Sequence, residues 1–246
     1  MLNKISIITV VKNGMPYLKD CVHSIKKQTY KNLEHIIVYS QSSDNTLEFL
    51  KKNNLKFYQD NQSKTKFGAI NKGVKIAKGE YIALLHADDI FYDKNVISKI
   101  GKKLNKYNPD VLYGDIIYVN QNNVSKIIRK WISNKYNNQL LNFGWMPPHT
   151  SLFIKRKVIL NNLYNSKFPI SGDYDFILRI FKKKLNFYYL NQFTTKMRYG
   201  GDSNKNLKNI VTKMYEDLQI MKKNKIRFYF FALFLKNISK LKQFIK

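Results

Sequence analysis

The sequence predicts an α/β fold: a mostly parallel, Rossmann-like sheet flanked by helices, with an amphipathic helical tail at the C-terminus. Three observations predict it. Apolar runs of strand length alternate with helical patterns through the first 110 residues, as right-handed strand–helix–strand units require. The run Ile5–Val11 is apolar and β-branched, the pattern of a central strand buried on both faces. The run Tyr81–Leu85 follows a Lys78-Gly79-Glu80 turn and leads into two adjacent carboxylates, Asp88 and Asp89. In open α/β sheets ligands sit outside the carboxyl ends of the strands, so a strand delivering charge there marks a site.

The other elements follow in order. Lys12-Asn13-Gly14 ends the first strand, and Pro16 suits the first turn of a helix running to about Thr29, with Leu18, Val22 and Ile25 at helical spacing. Glu34–Tyr39 reads as the second strand. Ser43 or Asp44 caps a helix through Leu47 and Leu50, and Leu55–Tyr58 is a short third strand. A helix from about Phe67 to Ala77 precedes the strand at 81–85, and another is expected near Phe91–Asn105. After Pro109 the pattern changes. Val111–Val119 and Val124–Arg129 form a hairpin around Asn120–Asn123, and Trp131–Pro148 is irregular. His149–Ile154 is read as a strand, Asp173 opens a helix, and two short strands lie near Phe187–Leu190 and Thr194–Tyr199. A helix over about Leu207–Lys223 ends the globular part.

A chain of 246 residues with 44% hydrophobic content buries one sizeable core. The net charge of +28 favours polyanionic surroundings, but lysine is spread evenly, with abundant Asn, Ile and Tyr, and a compositional bias accounts for part of it. The chain carries no helix-turn-helix, zinc-finger or RNA-binding signature, so no nucleic-acid partner is expected. The single cysteine, Cys21, excludes an intramolecular disulfide and falls on the apolar face of a helix, as a core residue would. No signal peptide is read before the first strand, and Phe228–Leu235 is too short to span a bilayer. The expected location is cytoplasmic and peripheral on the inner face of the membrane. Residues 222–246 carry eight Lys and Arg and no acid, around the aromatic run 228–235. Two readings stand: a segment lying in an anionic membrane interface, and a helix packed on the domain or on a second copy of the chain.

Asp88 and Asp89 are hard oxygen ligands suited to Mg²⁺ or Mn²⁺ carrying phosphate, and either one is equally suited to cap the following helix. Asp173, at the opening of its helix, is suited to cap it.

Several segments, each weak alone, occur together in one order. They are Ile5-Ser6-Ile7-Ile8-Thr9-Val10-Val11-Lys12-Asn13, Ser24–Tyr30 with Glu34–Val38, Ser42–Thr46, Ala69-Ile70-Asn71-Lys72-Gly73, Gly79–Leu85, Ala87-Asp88-Asp89, Tyr113-Gly114-Asp115, Pro148-His149-Thr150-Ser151, Gly172-Asp173-Tyr174-Asp175 and Gly200-Gly201-Asp202-Ser203. Over roughly residues 4–205 the chain resembles the family 2 glycosyltransferases. The resemblance implies a GT-A fold over residues 1–205, with a nucleotide half at about 1–110 and an acceptor half at about 111–205. The helical tail at 206–246 follows. It implies transfer of a sugar, with inversion, from a nucleotide-diphosphate donor to a hydroxyl of a glycan or lipid-linked acceptor. Thr9, Val11, Asn13, Tyr39, Asn71, Lys72, Ala87 and Asp88 would then lie about the nucleotide sugar. Asp88, Asp89 and His86 would hold a divalent cation, Mg²⁺ or Mn²⁺. Asp173 would be the base, and His149 and Asp175 would stand on the acceptor side. A homodimer is left open.

The chain departs from the family pattern at four points. Tyr39 stands where an Asp usually closes the second strand, and can stack on a base rather than bond its edge. Ser63 and Gly68 stand at usually acidic positions. His86 opens the metal motif in place of Asp or Asn, and imidazole prefers softer ions than Mg²⁺. Two functions remain: an active transferase with altered donor preference, and a catalytically impaired domain that supports a partner enzyme.

Overall fold

The fold is a computed structural model that describes residues 2–200, 207–239 and 243. Its N-terminal half is built on β1 (Ile5–Val11), β2 (Leu33–Tyr39), β3 (Phe57–Gln59) and β4 (Tyr81–Leu84). These four strands are parallel, in the order β3-β2-β1-β4, so β1 is central as its composition requires. Strand pleating gives β1 two buried faces. Ile8 packs with Ile36, Val38, Ile82 and Leu84 under α3 (Lys66–Ile76) and α6 (Gly172–Phe181). Ile5 and Ile7 face the other way, with Tyr81, Ala83 and Leu85, under α1 (Leu18–Lys26) and α4 (Val96–Tyr107). Cys21 is buried on α1.

The rest of the chain extends the sheet with reversed strands. β8 (Phe153–Lys155) runs antiparallel to β4 and to β6 (Val111–Val119). β9 (Phe187–Arg198) lies parallel to β6, and β5 (Ile90–Phe91) pairs antiparallel with β9. β7 (Ile127–Trp131) makes the expected hairpin with β6.

Several expected boundaries are corrected. The strand expected at His149–Ile154 is a 3-10 turn at His149–Ser151 followed by β8. The two strands expected near 187–190 and 194–199 are one, β9, whose register with β6 shifts around Asp115. Gly114 permits this crossing: a Cβ there would lie 2.7 Å from Thr194 Cγ2 and 2.9 Å from the Gln192 carbonyl. The helix expected at 91–105 begins only at Val96, capped at Asn95, whose amide donates to Asp93. Asp88 and Asp89 therefore cap no helix. α1 starts at Leu18 rather than Pro16. β3 starts at Phe57 because the Leu55 amide closes onto Leu50 at the end of α2 (Thr46–Lys52). The short helix α5 (Arg156–Leu160) had no signal in the sequence reading.

α7 (Leu207–Lys223) has the expected bounds, and α8 (Tyr229–Ile238) packs against it and against the 3-10 turn Asn138–Phe143. α8 buries Ala232, Leu233 and Lys236 and leaves Phe230, Phe231 and Phe234 exposed. No helix among the described residues is long and apolar enough to cross a membrane.

The core arrangement sets an expectation. Ile8→Ala empties a site fully enclosed between β1, β2, β4 and α3 and should cost about 3 kcal/mol in urea unfolding. A loss under about 1 kcal/mol would contradict this packing.

Candidate active site

The carboxyl ends of β1, β2 and β4 lie side by side, because the register is parallel. β4 passes into the turn His86-Ala87-Asp88-Asp89, closed by the Asp89 amide on the His86 carbonyl at 3.1 Å. Ligand atoms of His86, Asp88 and Asp89 lie within 4.8 Å of one another. Asp89 is buried: Oδ1 accepts from the Arg198 amide at 3.1 Å, while Oδ2 has no hydrogen-bond partner and stands 3.6 Å from His86 Nδ1. Burial, and then the Asp88 carboxylate, push the Asp89 carboxyl well above the usual carboxylate range. A buried carboxylate oxygen without a donor, beside a second carboxylate and an imidazole, is an arrangement a divalent cation relieves.

Arg198 was missed in the sequence. Its guanidinium donates to the Asp88 carbonyl, the Asp20 carboxylate and the Gln121 carbonyl, and lies 4.6 Å from the Tyr17 ring centroid. The one available signal was a charge inside a β-patterned run, since buried arginines are rare unless paired.

His149 leaves the 3-10 turn with its ring 6.0 Å from the His86 ring and Nε2 2.7 Å from the Tyr164 hydroxyl. Tyr164 is also new. It stacks on Phe176 and Phe67, and its backbone is held at both ends by the Asn71 amide, at 2.9 and 2.8 Å. Burial drives the His149 pKa down to about 3; the Asp173 carboxylate opposes this, and His86 and Lys66 add to it. His149 is thus a neutral imidazole. Asp173 sits in the first turn of α6 and accepts from the Tyr174 amide at 2.8 Å; Ser171, not Asp173, holds the cap position. Burial raises the Tyr118 phenol to about 12; Arg129 opposes, and Asp89 and Asp173 both add to the rise.

Other predicted residues have different tasks. The Thr9 side chain is buried under α1, 3.1 Å from His35 Nε2 and 3.9 Å from Cys21 Sγ. Val11 and Tyr39 are buried with Leu18, Val22 and Leu50. Tyr39 sits edge-on to Phe57 and accepts from the Ser42 amide, so it offers no open face to a base. Asn13, at φ +53°, ties its loop to Ser42 and Ser43. Lys72 bonds the Gln59 carbonyl at 2.6 Å and pairs with Asp60 at 3.7 Å. Asp175 is a buried ion-pair partner of Arg179 at 2.8 Å. Asp115 accepts from Ser133 and Tyr189, a structural role. Ala87 packs at the edge of the Val11–Tyr39 cluster. Gly201, Asp202 and Ser203 lie outside the described residues.

With this geometry, the comparison with known proteins is direct. The model of glycosyl transferase family 2 matches residues 6–170. The chain belongs to this family. It is a glycosyltransferase, and its sheet and flanking helices are those of the GT-A fold. An uncharacterized glycosyltransferase of Methanocaldococcus jannaschii is 27% identical over 234 residues, 89% of this chain and 80% of that protein. One of Rickettsia conorii is 33% identical over 192 residues, 72% of this chain but 31% of that protein. A PGL/p-HBAD biosynthesis glycosyltransferase of Mycobacterium bovis is 27% identical over 184 residues, 72% of this chain and 69% of its own length. Among solved structures, Staphylococcus aureus TarS 1–349 in complex with UDP-GlcNAc superposes with a TM-score of 0.66 at 12% identity, covering 99% of this chain and 93% of that one. The Pyrobaculum calidifontis mannosyltransferase in complex with GDP-Man and Mn²⁺ gives 0.69 at 13% identity, covering 99% and 73%. At these identities the structures establish the fold.

The buried neutral His149 sets a pH expectation. Its folded pKa is depressed from 6.5 to about 3, so between those values the unfolded chain binds a proton that the folded chain does not. Stability then falls as pH drops through that window, by up to about 1.4 kcal/mol per pH unit per proton. His35, lowered to about 4 by burial and Lys26, acts the same way. In His149→Gln the slope of unfolding free energy between pH 4 and 6 should decrease by about one proton. An unchanged slope would show that His149 titrates normally.

Proposed function

We propose that this glycosyltransferase moves a sugar from a nucleotide-diphosphate donor to a hydroxyl of a glycan or lipid-linked acceptor, with inversion, in surface polysaccharide or lipid-linked oligosaccharide synthesis. The observation that carries this is the gathering of His86, Asp88 and Asp89 at the carboxyl end of β4, with the His149 ring 6.0 Å from the His86 ring. Inversion in one displacement needs a carboxylate to take the acceptor proton from the side opposite the leaving diphosphate. Asp173 is that base in this reading. Neutral His149, oriented by Tyr164, offers a hydrogen bond to the acceptor or the diphosphate, and the Lys66 charge bears on the same place.

The donor set of His86, Asp88 and Asp89 fits a divalent cation, with Mn²⁺ better matched than Mg²⁺ to an imidazole ligand. When bound, such an ion would offset the charge that builds on the leaving diphosphate. The fold neighbours that carry UDP-GlcNAc, or GDP-Man with Mn²⁺, support this donor class. The exposed aromatic face of α8 beside Lys222, Lys223, Lys225 and Arg227 supports peripheral binding to an anionic membrane, where each cation adds about 1 kcal/mol.

A second reading, a non-catalytic sugar-nucleotide-like domain, is favoured by the burial of Tyr39 and the pairing of Lys72 with Asp60. One experiment separates them. Asp173→Asn should lower transfer by about 10³-fold, within the range lost with a general base, and leave Mn²⁺-dependent donor affinity within about threefold. Near-normal turnover of the variant contradicts the assigned base. A wild type that neither binds a donor tightly with Mn²⁺ nor turns over supports the second reading.

A further inference from the structure

The family match ends at residue 170, just before the turn that carries Asp173. What holds that turn comes from the C-terminal helix pair. Glu216 lies on the inner face of α7 and is 5% exposed. Its Oε2 accepts from the Ile170 amide at 3.1 Å and the Ser171 amide at 2.6 Å. Amides at a helix start have no partner within the helix and favour a negative charge. Ser171, at the cap position of α6, makes no side-chain cap bond; its hydroxyl instead donates to the Lys213 carbonyl of α7. The start of α6 is thus capped by α7 rather than by its own sequence.

α8 completes the arrangement. Asp217, next to Glu216, pairs with Lys213 and with Lys236 of α8, both at 2.8 Å. Against burial, which alone would raise it, the two ammonium groups hold Asp217 down at about 2. Lys236 is itself buried, and its Nζ stands 3.3 Å from the centroid of the Tyr174 ring. Tyr174 is the residue after Asp173 and is 1% exposed. α8 can come this close because Gly144 ends the 3-10 turn beneath it at φ +75°. A Cβ there would lie 2.5 Å from the Ala232 carbonyl and 2.7 Å from Lys236 Cβ.

We propose that Glu216 and Lys236 are positioning residues for Asp173. The docked α7–α8 pair fixes the turn from Ile170 to Tyr174, so the carboxylate faces the acceptor only while the pair is seated. This rests on the proposed role of Asp173 as base; neither Glu216 nor Lys236 touches a reacting atom.

The test reads the clamp and its consequence separately, in the full-length protein. Amide hydrogen exchange is followed at residues 170–174, with β1 as internal control. Transfer kinetics and Mn²⁺-dependent donor affinity are measured on the same samples. Glu216→Ala should open exchange at Ile170 and Ser171, leave β1 protected, and lower kcat at least tenfold with donor affinity within twofold. Glu216→Gln, which keeps an acceptor oxygen, should recover most of the loss. Gly144→Ala, acting only through α8, should reproduce the kcat defect and serves where Glu216→Ala does not fold. Closed exchange in Glu216→Ala, or open exchange with kcat within twofold of wild type, would overturn the proposal. If Asp173→Asn itself turns over normally, the base assignment fails, and the exchange data alone still decide whether the clamp exists.

Discussion

The buried guanidinium of Arg198 is the interaction on which the site depends. It leaves the end of β9 and reaches back across the chain to Asp20 on α1, to the Asp88 carbonyl, and to the Gln121 carbonyl in the β6–β7 turn. Its own amide holds Asp89. A buried cation is costly unless its donors are met, and here carbonyls, a carboxylate and an aromatic face meet them. The consequence is structural closure. The acidic turn after β4 takes its shape only when the last strand of the sheet is in place, so the two ends of the sheet specify one another.

The sequence made β1, β2, α7 and the β6–β7 hairpin legible because their patterns are local. β-branched runs, helical spacing and turn residues need no distant partner. The direction of β8 was not legible, since a short apolar run such as Leu152–Ile154 carries no sign of orientation. Asn191 and Gln192 looked like a break between strands. In the fold a register shift beside Gly114 absorbs them. The roles of Arg198, Tyr164 and Glu216 were invisible for one reason: each acts on partners far along the chain, such as Ser171 for Glu216. The acidic turn, His149 and Asp173 were legible as residue types, and the fold adds the approach of His149 to His86 that motif order could not give.

The departures from the family pattern now have a physical description. Tyr39 is part of the core rather than a contact for a base. Ser63 and Gly68, both at usually acidic positions, lie against one another: a Cβ at 68 would fall 2.9 Å from the Ser63 side chain. Lys72 is engaged by Asp60 and the Gln59 carbonyl. The carboxylates after β4 and at the start of α6 are kept, as an active transferase requires, while the burial of Tyr39 and the pairing of Lys72 are what the impaired alternative rests on.

In the proposed function a cation held by His86, Asp88 and Asp89 lies close to His149 and Asp173. Paramagnetic broadening by Mn²⁺, followed by NMR during a titration, tests this most directly. The His149 ring and the amides at the start of α6 should broaden at substoichiometric Mn²⁺, while those of β3 stay sharp, and Asp88→Asn should abolish the effect. Broadening centred elsewhere, or broadening at His149 that persists in Asp88→Asn, would contradict the account.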